Sequence, residues 1–247
     1  MTDYNTYVMG VRERALYTGA AAVVIFCVAF VFYRSVVLSA LLTPLSLFYP
    51  RFKTRDIIAG RKKELNIQFK DLLYSLVSSV SAGRTVEGAF REALKDLAVL
   101  YPDPSAFVLT EVRHILNRLE MNETLETALS DFSVRAGLED LDNFVSVFNI
   151  CKRSGGNLCE VIKNTSSIIS DRIEVAQEVD TLLAERRFEK KVLNVLPILM
   201  ILLLSATAPD YMSPVFATAA GRLTMTISIM LLGAAWFISA KISDIKV

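Results

Sequence analysis

Charge in this 247-residue chain is confined to its middle. Two apolar runs, Ala15 to Tyr49 and Val192 to Ala240, enclose a stretch from Arg51 to Lys191 that holds 22 of the 26 acids and 21 of the 27 bases. The ends therefore belong in hydrocarbon and the middle in water. Basic residues crowd both junctions: Arg51, Lys53, Arg55, Arg61, Lys62 and Lys63 on one side, Arg186, Arg187, Lys190 and Lys191 on the other. Lysine and arginine collect on the cytoplasmic flank of membrane spans, where anionic lipid heads also attract them, so both junctions are expected there. This layout predicts a cytosolic tail 1–14, a membrane hairpin 15–50, a cytosolic domain 51–191, a second membrane hairpin 192–240 and a cytosolic tail 241–247.

Ala15 to Tyr33 is long enough to cross a hydrocarbon core of about 30 Å at about 1.5 Å per helical residue. It exceeds the apolar core of a signal peptide, and a second apolar run follows without an intervening polar segment, so we read it as a retained anchor. Val36 to Tyr49 is shorter and carries Pro44. Alone it reads as re-entrant or interfacial; paired with the first helix through a turn at Arg34 and Ser35, it reads as a short second span. The pairing returns Arg12 and Arg14 to the cytoplasm, as their charge prefers, and we favour it. Val192 to Ala208 and Leu223 to Ala240 form the second pair, joined by a 14-residue loop with Pro209, Pro214 and Gly221. Pro197 is expected to kink the first of these spans, because it removes a backbone donor.

Between the junctions the apolar period is helical. Leu65, Phe69, Leu72, Leu73, Leu76, Val77 and Val80 share one face, and glycine, asparagine and proline punctuate six helices near 63–82, 86–100, 105–119, 125–135, 140–154 and 158–190. Short connections make neighbours antiparallel. One joint recurs three times, at Gly83-Arg84-Thr85, Asn122-Glu123-Thr124 and Gly155-Gly156-Asn157. A residue tolerant of positive φ ends one helix, and two positions later Thr or Asn caps the next. The last helix carries an apolar stripe, Leu158, Val161, Ile162, Ile168, Ile169, Ile173, Ala176, Val179, Leu182 and Leu183, and runs on to Val192 without a breaker. The fold expected is all-α: an integral membrane protein with a cytosolic six-helix antiparallel bundle between two transmembrane hairpins.

Several functions lose support at this level. A net charge of +1 gives no basic face able to displace counterions from nucleic acid. The Gly155-Gly156 pair lacks the rest of a phosphate-binding loop, so no nucleotide site and no cofactor is expected. Cys151 and Cys159 have no third or fourth ligand nearby for zinc, and they belong to a reducing compartment. The spans lack acids, which argues against an ion path or a small transporter. His114, the one histidine, carries the rival reading, a membrane-anchored signalling or phosphotransfer bundle, with no motif around it. No catalytic constellation is present, and the chain is expected not to be an enzyme.

Gln68 to Leu76, then Ser81-Ala82-Gly83-Arg84-Thr85-Val86-Glu87-Gly88-Ala89-Phe90, resemble the opening of the type II secretion system protein F domain. Asn122 to Leu129 and Cys151 to Leu158 resemble its later signature stretches, over about residues 60–208 in all. With a single such domain between two membrane hairpins, the chain is most similar to the inner-membrane platform proteins of tight-adherence (Tad/Flp) pili. Asn122 stands where the family often has glycine, and tolerates the same backbone region. The resemblance implies a bacterial or archaeal cytoplasmic membrane location and a non-enzymatic platform. Its implied partners are a cytosolic secretion ATPase, a second F-family platform protein or further copies of itself, pilin-like subunits and the lipid bilayer. Arg84, Glu87, Lys152 and Arg153, at the bundle's turns, are the candidate partner contacts.

Overall fold

The computed structural model describes residues 3–243, with side chains described except at Arg187 and from Ala240 onward. The described residues are mostly helical and include no strand. In chain order the elements are α1 (Val11–Tyr33), α2 (Val36–Leu42), a 3₁₀ segment (Thr43–Phe48), α3 (Tyr49–Ser81), α4 (Val86–Leu100), α5 (Phe107–Glu120), α6 (Leu125–Ala136), α7 (Glu139–Ser154), α8 (Leu158–Thr207), α9 (Pro209–Ala217) and α10 (Ala219–Ser243). They divide into two units. One comprises the segment up to Val8 with Thr54–Val175, the other Met9–Lys53 with Ala176 onward.

The first unit is a bundle of α4 to α7 with the facing parts of α3 and α8. Amphipathic periodicity decides which faces meet. Leu65, Phe69, Leu72, Leu73 and Leu76 of α3 are buried against Phe90 and Leu97 of α4, Val112 and Ile115 of α5, Leu129 and Phe132 of α6, and Phe144 and Phe148 of α7. Phe69 is the hub, meeting Phe132 and Phe144 edge-on with ring centroids 6.4 and 5.7 Å away. Each large side chain removed from water in this way stabilises the unit by about 1.5–3 kcal/mol before entropy is counted. Polar groups seal the gaps. Gln68, itself buried, accepts a hydrogen bond from the Val108 amide at 2.9 Å, satisfying a free donor in the first turn of α5.

α3 begins 14 residues before its predicted start. Pro50 lies in the first turn, where its missing N–H costs nothing, and Gly60 has open space around it, so neither breaks the helix. α8 is continuous for 50 residues and includes Pro197. The predicted stripe on α8 is only partly used. Ile162 and Ile169 are buried in the bundle core, whereas Ile168 is exposed and Leu182 is 70% exposed. From Ala176 onward the helix has left the bundle, so those positions have no core to enter.

In the second unit, Val11–Tyr33, the α8 helix and Ala219–Ser239 are long and apolar enough to cross a membrane. The stretch 36–49 is not among these; α2 and the 3₁₀ segment pack back along α1. Tyr33 donates to Thr226 Oγ1 of α10 at 3.0 Å. The predicted loop 209–222 is instead mostly helix. Pro209 opens α9 at a position that needs no donor, and Thr218 accepts from the Gly221 amide at 3.1 Å to start α10. Gly221 is required there, since a Cβ would stand 2.6 Å from the Cα of Val215.

Candidate functional site

Alternation of direction along α3 to α8 brings the three repeated joints to one end of the bundle, opposite the end where α3 enters. Each joint closes in the same way. Gly83, Asn122 and Gly155 have φ of 82°, 62° and 71°. The amide after each then reaches back five residues: Arg84 to the Ser79 carbonyl at 3.2 Å, Glu123 to that of Arg118 at 3.1 Å, and Gly156 to that of Cys151 at 2.9 Å. These bonds satisfy carbonyls at the helix ends. The outgoing helices are capped by Thr85, Thr124 and Asn157, whose side-chain oxygens accept from the amides of Gly88, Thr127 and Glu160. Asn122 adopts the left-handed conformation without glycine, as Asn does at modest cost. Gly156 serves a different need, because a Cβ would lie 2.7 Å from Cys151 Sγ.

The candidate contact residues surround these joints, and two of them are already engaged. Arg84 pairs with Glu92 at 2.9 Å, and Lys95 joins the same carboxylate at 3.1 Å. The hydrogen bond from Lys95, then the charge of Arg84, hold the Glu92 carboxyl below its usual range. Lys152 of α7 pairs with Glu126 of α6 at 2.8 Å. Burial alone would raise the Glu126 carboxyl, but the Lys152 contact outweighs it and leaves it lowered. Arg153 and Met121 are exposed beside them and Glu87 is half-buried. The result is an end of mixed charge with one large apolar side chain. Of the junction residues, Arg186 pairs with Glu189 at 3.0 Å and Lys191 is exposed, while Lys190 is half-buried. The side chain of Arg187 lies outside the described residues.

His114 is directed at Asp131, with Nε2 at 3.8 Å, but that carboxylate is already held by Arg118 at 3.1 Å and Arg135 at 2.8 Å. Sequence reasoning missed the network to which Asp131 belongs. Glu111, on the inner face of α5 and 0% exposed, accepts two bonds from Arg135 of α6, at 2.8 and 2.6 Å. Its third partner is the Tyr4 hydroxyl at 2.9 Å. One signal was available: Glu111 falls in register with Val108, Val112 and Ile115 on the apolar stripe of α5. Segment 3–8 is therefore no free tail, and Tyr4 is 1% exposed in the bundle core.

Among the described residues, no group of three or more His, Cys, Asp or Glu side chains is placed to hold a metal. Within the second unit, Val28, Phe32, Asn194, Ile198, Gly233 and Trp236 border an apolar hollow of about 240 Å³. These features together describe a scaffold with one elaborated end and a membrane-type unit.

Compared with known families, residues 72–206, more than half of the chain, match the model described as type II secretion system (T2SS), protein F. No curated protein and no solved structure matches significantly. Proteins of that family work within secretion and pilus machinery with ATPases and other platform proteins. The matched region takes in all three joints and the passage of α8 out of the bundle. The chain belongs to the type II secretion system protein F family, as an all-α inner-membrane protein with a platform role in a secretion or pilus machine.

Proposed function

We propose that this protein couples a cytosolic secretion ATPase to the assembly of pilin-like subunits or to protein export, and that it performs no chemistry of its own. The tight-adherence (Tad/Flp) platform is the nearest type, because one F domain lies between two apolar elements. The bundle faces the cytosol of a bacterial or archaeal cell, and a second F-family protein or further copies of the chain complete the platform. The observation that carries this reading is the family match over a bundle whose last helix, α8, continues unbroken from Leu158 through an apolar stretch to Thr207. A helix of that kind offers a path along which a displacement at the bundle reaches the apolar stretch. The docking end is the one bearing Arg84, Glu87, Lys152 and Arg153, where mixed charge and the exposed Met121 suit a protein partner.

Co-purification of the full chain from membranes in mild detergent tests the proposal. The ATPase should be recovered with the wild type and lost with an Arg84→Glu, Arg153→Glu double variant that keeps wild-type stability. His114→Ala should leave filament or export output unchanged. Nucleotide hydrolysis by the purified chain alone, or loss of output in a well-folded His114→Ala protein, would overturn it.

A further inference from the structure

The segment before α1 is built into the bundle by five groups of contacts. The Tyr4 hydroxyl donates to buried Glu111, and its ring meets Phe107 edge-on at 5.4 Å. The Tyr4 amide donates to the Arg135 carbonyl at 3.0 Å. Asn5 Nδ2 donates to the carbonyls of Val134 and Arg135 at 3.1 and 3.2 Å, and so satisfies the free end of α6. Lys62 of α3 clasps the segment from outside, donating to Asn5 Oδ1 at 2.7 Å and to the Gly137 carbonyl at 3.0 Å. Arg61 lies over the Tyr7 ring, 4.3 Å from its centroid. Asp3 shapes the segment locally by accepting from the Asn5 amide at 2.8 Å.

We infer that residues 3–8 act as a strap that fixes the upstream end of the first membrane element to the bundle, so that segment 9–53 must leave and re-enter on one face and cross the bilayer twice. The inference rests on reading α1 as a span, which the proposed function shares, but it does not depend on any ATPase or pilin. If α1 crosses once and 36–48 merely dips into the far leaflet, α3 and the bundle lie on the side opposite residue 8, and Tyr4 cannot reach Glu111. The strap therefore removes the re-entrant alternative. Packing inside the second unit agrees. Lys53 Nζ, on α3, lies 6.0 Å from the centroid of the Tyr17 ring, near the start of α1, so the chain returns to its starting level. Arg34, in the left-handed conformation at the turn, lies over the Phe216 ring of α9 at 5.6 Å, which puts that turn beside the α9 connection.

The return leg is short, yet its conformation extends it. Seven α-helical residues rise about 10 Å, and six 3₁₀ residues about 12 Å where an α-helix would give about 9. With the first turn of α3, and with Arg51 and Lys53 extending toward lipid heads, the leg spans a locally thinned bilayer.

Single reporters placed in a Cys27→Ala, Cys151→Ala, Cys159→Ala background test the inference. Each variant is expressed in spheroplasts and treated with a membrane-impermeant maleimide before and after permeabilisation. Ser35→Cys should label in intact spheroplasts, whereas Val8→Cys and the bundle control Lys163→Cys should label only after permeabilisation. Labelling of Val8→Cys in intact spheroplasts would overturn the strap, and protection of Ser35→Cys there would overturn the double crossing. A second measurement addresses the docking itself. In the full chain without reporters, the Tyr4 amide should exchange hydrogen at least about tenfold more slowly than in Tyr4→Ala. Equal rates would overturn it as well.

Discussion

Replacing Glu111 puts the buried network of the bundle to a quantitative test. Its carboxylate is fully buried and has three partners, two of them guanidinium nitrogens of Arg135 at 2.8 and 2.6 Å and the third the Tyr4 hydroxyl at 2.9 Å. In Glu111→Ala, Arg135, whose side chain is 14% exposed in the wild type, loses both bonds to Glu111 and keeps its pair with Asp131. Breaking a buried pair by removing one partner costs about 3–5 kcal/mol, because the remaining charge stays in low dielectric. Tyr4→Phe removes a single hydrogen bond to a charged acceptor and leaves the ion pair intact, so it costs about 1.5–3 kcal/mol. In the double variant Tyr4→Phe, Glu111→Ala, the hydroxyl has no acceptor left to lose, and the total falls short of the sum by about 1 kcal/mol or more. For a unit of this size, the loss in Glu111→Ala corresponds to a fall in melting temperature of roughly 10 °C or more. Urea and thermal unfolding of the full chain in detergent, followed by far-ultraviolet circular dichroism, measure these differences. A Glu111→Ala loss under about 1 kcal/mol, or strict additivity in the double variant, would refute the argument that the network is buried and coupled.

Three further outcomes are expected. Asn122→Gly should stabilise the bundle slightly or leave it unchanged, and Asn122→Val should destabilise it by about 1–2 kcal/mol, since only the β-branched residue opposes a φ of 62°; both are read from urea midpoints. Glu126 is lowered in the folded state, so its contribution is present above the ordinary carboxylate pKa and is lost as pH falls through the folded value. The pair is about one-third exposed, so the effect stays below about 1 kcal/mol and should vanish from the midpoint-versus-pH curve in Lys152→Met. Tyr4 and Tyr101 are both raised, first by burial and then by neighbouring carboxylates. Stability should therefore be intact below the ordinary tyrosine pKa of 10.0 and decline as pH rises beyond it. Tyr4→Phe should reduce that alkaline loss in a phenolate absorbance titration.

The bundle was legible because its punctuation is local. Gly83, Asn122 and Gly155 announce their turns through backbone freedom, and Thr85 and Thr124 announce the following helices through capping, so the limits of α4, α6 and α7 could be read within a residue or so. Where a signal had two physical meanings, the sequence reading erred. The first bundle helix was placed from about position 63, yet proline is accepted in a first turn and glycine in an exposed one, so α3 starts at Tyr49. Pro209, Pro214 and Gly221 suggested a loop but belong to helices, with Gly221 chosen for its close approach to Val215. The α8 stripe was overread because periodicity shows which residues share a face, not whether anything covers that face. Contacts between distant residues left the weakest trace. Nothing near Tyr4 or Asn5 marks them as partners of residues more than 100 positions away, and only the misplaced charge of Glu111 hinted at the network. The distribution of charge around the joints was visible, but the pairings of Arg84 with Glu92 and Lys152 with Glu126 depend on how the helices pack.

The three joints are closed by main-chain atoms and by short capping side chains. The side chains of Arg84 and Arg153 take no part in the hydrogen bonds that make them. Their side chains can therefore vary while the architecture beneath stays constant, in the way a lock barrel accepts different pin heights. A lineage that exchanges one motor or filament for another can rewrite this face one charge at a time, leaving every helix where it was.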